Sequence, residues 1–322
     1  MTQRKLIIGI DGGGTKTQAI LFDNTGKTID ELECKGSNLY VYGEHGIKRI
    51  IGLIKDLIEI NKLSFHDIDA YGIGVAGVSD LNQRESLLKE LDRENISERT
   101  LILSDAECAY KILCPSNLGI LVNIGTGVIC FSRDKDGNTC KTAGLGHDKG
   151  DIGSGYWLGK ELFSRLVLNE SIISVDNEVE EIFKSISDYF EVNDLKQLYS
   201  LFEEEQTIYK NLSLIGKITL NLAKNGNDIA LSIVQEGTRH VSEYIITLAD
   251  TFGLMNSNLI LSANGSIIKN DFYRRLLNES LQFEFKSIKW IISDLSPAYG
   301  AGLISAQYNQ IDVSIKDITK NI

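Results

Sequence analysis

An internal duplication constrains the fold of this chain more than any other feature. The stretch KLIIGIDGGGTKTQAILFDNTGKTI, beginning at Lys5, and the stretch GILVNIGTGVICFSRDKDGNTC, beginning at Gly119, follow one plan. Each has an apolar strand, an Asp or Asn, a Gly/Thr turn, a second strand, a glycine turn and a third strand. Asp11 and Gly26 lie fifteen positions apart, and Asn123 and Gly137 fourteen. Strand–turn–strand units also recur by chance, but a duplicated unit packs as two similar halves around a cleft. At 322 residues the chain exceeds the roughly 250–300 residues that one core sustains. Two domains are therefore expected, 1–116 and 117–322, with the break at Pro115-Ser116-Asn117.

The rest of the chain alternates strand and helix. Period-two patterning marks strands at Thr17–Phe22 and Lys27–Cys34, joined by Asp23-Asn24-Thr25-Gly26. Helical spacing covers Glu44–Ile60, Asn82–Leu91 and Glu107–Leu113, with strands at Ala70–Val75 and Thr100–Ser104 between them. Beyond Asp151 the pattern turns helical, over Ser154–Leu168, Val179–Phe190, Ile208–Lys224 and Asp228–Phe252, where Gly253 is a fitting stop. Strands return at Asn258–Ser262 and Ile288–Ser293, each followed by a glycine-containing loop and a helix. The class is α/β with a helical insert in the second half.

Composition removes several kinds of function. A hydrophobic fraction of 43% with only two prolines fits a compact enzyme. No apolar run approaches the ~20 residues of a membrane span, and the first residues already read as a strand start, leaving no room for a signal peptide. Cys34, Cys108, Cys114, Cys130 and Cys140 form an odd set without a C-x-x-C pair, as expected of reduced thiols in the cytoplasm. A net charge of −11 and the lack of a Lys/Arg run argue against nucleic acid as a partner.

The first turn, Asp11-Gly12-Gly13-Gly14-Thr15-Lys16-Thr17, is suited to an anion. Glycines let backbone N–H groups approach a phosphate, and Thr15 and Lys16 add donors and a charge. It is not a Walker A loop, which opens a helix, nor a dinucleotide fingerprint, because a second strand follows at once. A plain tight hairpin is the bland alternative, which explains Gly26 better than three consecutive glycines. A carboxylate beside phosphates calls for a divalent cation, so Asp11 suggests Mg²⁺ and a nucleoside triphosphate. Gly125-Thr126-Gly127 offers a second cradle, and Asn264-Gly265-Ser266 a third loop for a ribose, base or phosphate. Asp105 ends a short buried strand, where α/β sheets present reactive groups, although it or Ser104 could simply cap the next helix.

The ordered set GIDGGGTKT, LSDAECA, VNIGTG, GLGHDKGDIGSGYWLGKE, LSANGSI and SPAYGAGLIS resembles the superfamily of sugar kinases, actin and heat-shock chaperone ATPases. Within it, the set is similar to the N-acetylglucosamine kinase branch, which also holds benzoyl-CoA reductase activator ATPases. The resemblance implies two ribonuclease-H-like domains, with ATP and Mg²⁺ between them and an amino sugar in the cleft. It implies phosphoryl transfer to the 6-hydroxyl of N-acetylglucosamine or N-acetylmuramic acid in cell-wall sugar salvage, and a homodimer as the assembly. Asp105 matches the family's general base, Asp151 a sugar-contacting carboxylate, Gly144 a backbone contact to the sugar, and Asn38 the residue near the acetamido group. Alone, Gly36-Ser37-Asn38 would be an ordinary turn. Asp148 and Lys149 read as solvated charges, and His147 lacks companions for a metal. The cysteine-rich zinc motif of another bacterial sugar-kinase family is absent.

One departure stands out. Where the family commonly continues Ser-Asn after the Gly-Thr-Gly turn, this chain has Val128-Ile129. That loses a polar sugar contact and leaves apolar room for a 3-O-substituent, unless Ile129 is a strand residue facing the core and another side chain meets the hydroxyl. Rival readings are a glucosamine kinase and an activator ATPase, although these cysteines fall on helices and hairpin strands rather than in a cluster-binding arrangement. A non-enzymatic sensor is a third, against which Asp11, Asp105 and Asp151 speak.

Overall fold

The computed structural model describes residues 4–114, 119–144, 151–202 and 205–321. Strands β1 (Leu6–Gly12), β2 (Lys16–Asp23) and β3 (Thr28–Lys35) lead into helix α1 (Leu39–Ile60). Then come β4 (Ala70–Val75), α2 (Leu81–Arg93), β5 (Thr100–Leu103) and α3 (Asp105–Leu113). The second hairpin pair is β6 (Ile120–Ile124), β7 (Val128–Arg133) and β8 (Thr139–Ala143). Helices α4 (Gly155–Leu168), α5 (Asn177–Phe190), α6 (Leu195–Ser200), α7 (Glu205–Lys224) and α8 (Asp228–Thr251) form the insert. The chain closes with β9 (Asn258–Asn264), α9 (Asp271–Leu281), β10 (Ser287–Ile292), α10 (Pro297–Tyr308) and α11 (Ile315–Thr319). No helix among the described residues is long and apolar enough to cross a membrane.

The duplication is visible in the sheets. One has the order β3-β2-β1-β4-β5 and the other β8-β7-β6-β9-β10. In both, the three hairpin strands are antiparallel and the remaining two join in parallel, so the topology is the same in each. The chain divides into a first unit of Met1–Asn117 with Asp294–Ile322, and a second unit of Leu118–Ser293. The second unit does not run to the C-terminus as the sequence reading had it: Asp294–Ile322 pack with the first unit. The break expected at Pro115-Ser116-Asn117 lies outside the described residues.

That return has a physical cause. One face of the first sheet packs Ile8, Ile10, Ala19, Leu21 and Ile73 against Ile50, Ile54 and Leu57 of α1 and Leu87 of α2. The other face carries Gly9 and Gly72, and α10 lies on them. A Cβ on Gly9 would stand 2.0 Å from the Ala298 carbonyl oxygen, and one on Gly72 2.0 Å from that of Ala301. Gly300 meets the Cys108 carbonyl of α3 equally closely. Glycine and alanine in SPAYGAGLIS thus let α10 touch both the sheet and α3 with its backbone. Helix α1 starts earlier than the expected Glu44, because Asn38 caps a first turn that kinks at Gly43 (φ 47°). In the second unit, α4 and α7 cross at Gly159 and Gly216, where a Cβ would stand 1.8 Å from the Leu212 and 2.0 Å from the Gly155 carbonyl oxygen.

These contacts predict opposite signs for two glycine substitutions. Gly72→Ala must push α10 off the sheet and should destabilise by at least ~1–3 kcal/mol. Gly52→Ala, on α1 with nothing within 4 Å of the added Cβ, should stabilise by ~0.5–1 kcal/mol. Urea midpoints measured by hydrogen exchange within the first unit check both. A harmless Gly72→Ala would refute the close packing.

Candidate functional site

In the first unit, four chain segments reach one edge of the sheet. Asp11 sits near the end of β1, half-buried, with Gln18 opposite it on β2 and Gly74 beside it on β4. The four-residue turn Gly13–Lys16 closes through the Gly13 N–H donating to the Lys16 carbonyl at 3.0 Å. Its other carbonyls are held from behind. Gly13 O accepts from the N–H groups of Ser37 and Asn38, Thr15 O from that of Gly36, and Gly14 O from the Tyr42 hydroxyl at 2.9 Å. Gly12 O is taken by the Ala76 N–H. All five carbonyls from Gly12 to Lys16 therefore have donors within the unit, which leaves none free to repel an anion approaching the turn.

Gly14 has no positive φ and nothing within 4 Å of where a Cβ would stand. The fold does not require glycine there, so the open space suits a ligand rather than the backbone. The Lys16 ammonium meets Glu33 of β3 at 2.5 Å in an exposed pair, and Thr15 is exposed. Asn38 is the N-cap of α1, its Oδ1 accepting from the N–H groups of Tyr40 and Val41.

Asp105 is the first residue of α3, but it is not the cap. Ser104 caps the helix, its Oγ accepting from the Glu107 N–H while the Glu107 carboxylate accepts from Ser104, in a reciprocal capping box. The alternative that Asp105 exists only to start the helix is thus unnecessary. Asp105 is also close enough to act on Asp11. Burial, then the charge of Asp105, push the Asp11 carboxyl up to about 7, with Lys16 opposing. Cys108, fully buried one turn along α3, packs on Gly74; its thiol is pushed up by burial and by the neighbouring carboxylates.

The second unit repeats the turn with different supports. Gly125 N–H donates to Gly127 O at 3.0 Å, Gly125 O accepts from the Gly155 N–H and Thr126 O from the Tyr156 N–H. Again every carbonyl of the turn is occupied, two of them by the first amides of α4 and the third by the closing Gly125 N–H. Gly125 has the same open space as Gly14. Ser213 of α7 donates to the Thr126 hydroxyl at 3.2 Å. Asp151 is buried, and its Oδ2 would lie 3.0 Å from a Cβ on Gly127. The loop after it is tied down by the buried Tyr273 hydroxyl, which donates to Gly153 O at 2.8 Å.

Across the second sheet, Asn264, Asn123 and Ile129 stand side by side, and the Asn264 amide donates to Asn123 Oδ1 at 3.3 Å. Gly265 has φ 92° and no space for a Cβ beside Ile124 O, so backbone geometry alone accounts for it, while Ser266 is exposed. Gly144, exposed with φ 68°, lies against the Ile129 side chain, whereas Val128 faces the core. The apolar pair therefore splits, and only Ile129 remains beside Gly144. His147, Asp148 and Lys149 lie outside the described residues.

Sequence reasoning missed Tyr42, Arg49, Ser213 and Tyr273, which support these loops. Gly43, just after Tyr42 in an otherwise helical stretch, was the one available signal for the first pair.

The Asp11 shift sets a pH dependence. A carboxyl near 3.9 when unfolded and near 7 when folded binds more protons in the folded state between those values. Stability from this group is complete below the unfolded value and is lost as pH rises through about 7. The difference in denaturation midpoint between wild type and Asp11→Asn should thus shrink or reverse against wild type from pH 5 to 8. In Asp105→Asn, carboxyl NMR should find Asp11 titrating lower; an unmoved titration would separate the two acids.

The family model described as the BadF/BadG/BcrA/BcrD ATPase family matches residues 8–305. An N-acetylmuramic acid/N-acetylglucosamine kinase of Clostridium acetobutylicum is 25% identical over 310 residues, covering 94% of this chain and 98% of that protein. An N-acetyl-D-glucosamine kinase of Dictyostelium discoideum is 21% identical over 315 residues, covering 94% and 98%. Among solved structures, a candidate N-acetylglucosamine kinase of Chromobacterium violaceum has the same fold, with a TM-score of 0.73, 18% identity, and coverage of 94% and 99%.

Proposed function

We propose that this chain, which belongs to the BadF/BadG/BcrA/BcrD ATPase family, is an ATP-dependent amino-sugar kinase acting on the 6-hydroxyl of N-acetylglucosamine, N-acetylmuramic acid or both. The observation that carries the reading is the pair of glycine turns with inward carbonyls, one of them set beside two mutually interacting carboxylates. The two curated kinases named above, matched along nearly their whole length, support the same reading.

In this reading the Gly13–Lys16 turn and the Gly125–Gly127 turn hold phosphate, with Asn264 and Ser266 on the nucleotide. Gly265 serves by shaping its loop. Asn38, Gly144 and Asp151 contact the sugar. Asp105 accepts the proton of the 6-hydroxyl as that oxygen bonds to the γ-phosphorus. The bond from the γ-phosphorus to the β–γ bridging oxygen breaks, and ADP leaves.

The residues present fit Mg²⁺. Asp11 is an oxygen donor whose charged form is disfavoured by burial and by Asp105, a penalty that a cation offsets. Among the described residues no group of three or more His, Cys, Asp and Glu could hold an ion by itself. That suits a metal that takes one or two carboxylates and completes its shell with water and phosphate. When bound, Mg²⁺ would neutralise charge on the phosphates.

A coupled ADP-release assay across glucose, glucosamine, N-acetylglucosamine and N-acetylmuramic acid tests the reading, with NMR of the product fixing the phosphorylated position. ADP release that no sugar stimulates would sink it. Asp105→Asn should fold and bind nucleotide yet lose ~10²–10⁴-fold in kcat. Near-normal turnover would remove Asp105 from its role. Ile129→Asn should shift kcat/KM toward N-acetylglucosamine by up to ~10-fold, the effect of one neutral hydrogen bond. An unchanged ratio would show that Ile129 does not meet the sugar.

A further inference from the structure

Behind the first glycine turn stands a three-part support that the kinase reading does not use. Tyr42 donates its hydroxyl to the Gly14 carbonyl at 2.9 Å. The Arg49 guanidinium lies over the Tyr42 ring, 4.7 Å from its centroid, and donates through Nη1 to the Gly36 carbonyl. Gly36 in turn donates its N–H to Thr15 O at 3.0 Å, so Arg49 supports the turn from both sides. Helix α1 is bent to make this possible. Gly43 has φ 47° and ψ −126°, outside helical geometry, and it separates the short turn that carries Tyr42 from the long helix that carries Arg49. That conformation is one side chains other than glycine rarely adopt.

Gly14 is also where the turn most needs such a support. Without a Cβ and with open space around it, the Gly14–Thr15 peptide has few steric barriers to rotation. Four of the five inward carbonyls are held by backbone N–H groups; Gly14 O is the one held by a side chain. If the Tyr42 hydroxyl is removed, that carbonyl can turn outward and present its negative end to a bound phosphate.

We propose that Tyr42, backed by Arg49, is a positioning residue that sets the affinity of the first turn for the nucleotide's phosphates, by holding the Gly14 carbonyl inward. This rests on the kinase reading above.

The test is Tyr42→Phe, which keeps the ring under Arg49 and removes only the hydroxyl. Titration with a non-hydrolysable ATP analogue and Mg²⁺ should show a Kd ~3–10-fold weaker, as expected for one lost neutral hydrogen bond. KM for ATP should rise in parallel, with the sugar KM unchanged. Amide exchange at residues 13–16 should quicken. Arg49→Lys, which loses the planar guanidinium, should move the same quantities in the same direction, and the double variant should fall short of additivity. Wild type that binds the analogue alongside a Tyr42→Phe that binds equally well would overturn the support alone. Wild type that does not bind the analogue would overturn the kinase reading and this inference with it.

Discussion

The close approach of α10 to the first sheet is the contact on which the first unit depends. Packed helices normally keep their axes about 8–10 Å apart because side chains intervene. Here Gly9 and Gly72 remove the side chains of the sheet, and Gly300 removes one from the helix where it meets α3. β1, β4, α3 and α10 are thereby locked into one body. The serine that caps α10, Ser296, donates to Gln18, which stands opposite Asp11, and the thiol of Cys108 fills the space over Gly74 on Asp11's other side. The carboxylates of Asp11 and Asp105 are therefore placed by backbone contacts that cannot relax easily. Burial at this packed edge, and then the charge of the nearby Asp105, drive Asp11 toward neutrality.

The same economy of backbone groups governs both glycine turns, by different means. In the first unit the carbonyls are held by the Gly36–Asn38 segment, by Tyr42 and by a closing Gly13–Lys16 bond. In the second a closing Gly125–Gly127 bond recurs, and the other two carbonyls are held by the opening amides of α4, which would otherwise be orphans. Those amides are thus not available as an anion site of their own. The duplication conserves the orientation of the turn, not its scaffolding. It also does not conserve charge: Asp11 in the first unit corresponds to Asn123 in the second, and a neutral amide there bonds Asn264. On the proposed reading, only the first turn needs a metal.

Much of this was legible in the sequence because it is local. The duplicated strand–turn–strand plan, the strand Ala70–Val75 and most helix spans follow from period and turn chemistry within a few residues. The choice between Ser104 and Asp105 as helix cap was open in sequence, since both residue types cap helices; the Ser104–Glu107 spacing of a capping box was the clue that decides it. What was not legible is long-range. Nothing near Asp294–Ile322 says that it returns to the first unit, because the reason lies in Gly9 and Gly72, more than two hundred residues earlier. Tyr42 escaped for the same reason: its partner is a backbone carbonyl across a loop, and carbonyls leave no mark in a sequence.

The split of Val128 and Ile129 shows how strand alternation refines a motif-level reading. Taken as a pair, the two apolar residues suggested apolar room beside the sugar. Period two sends Val128 into the core, where it is 2% exposed, and leaves Ile129 opposite Asn123 and against Gly144. The same face carries the Asn123–Asn264 amide pair one strand over. A sugar reaching Gly144 on the proposed reading therefore meets one branched aliphatic side chain beside amides, not an apolar wall. A single aliphatic contact discriminates weakly, by ~1–3 kcal/mol per methylene. It tolerates a substituent rather than selecting it. Any strong preference for a substituted amino sugar must then come from a charged partner for the substituent, and Ile129 by itself argues for a kinase that accepts both forms.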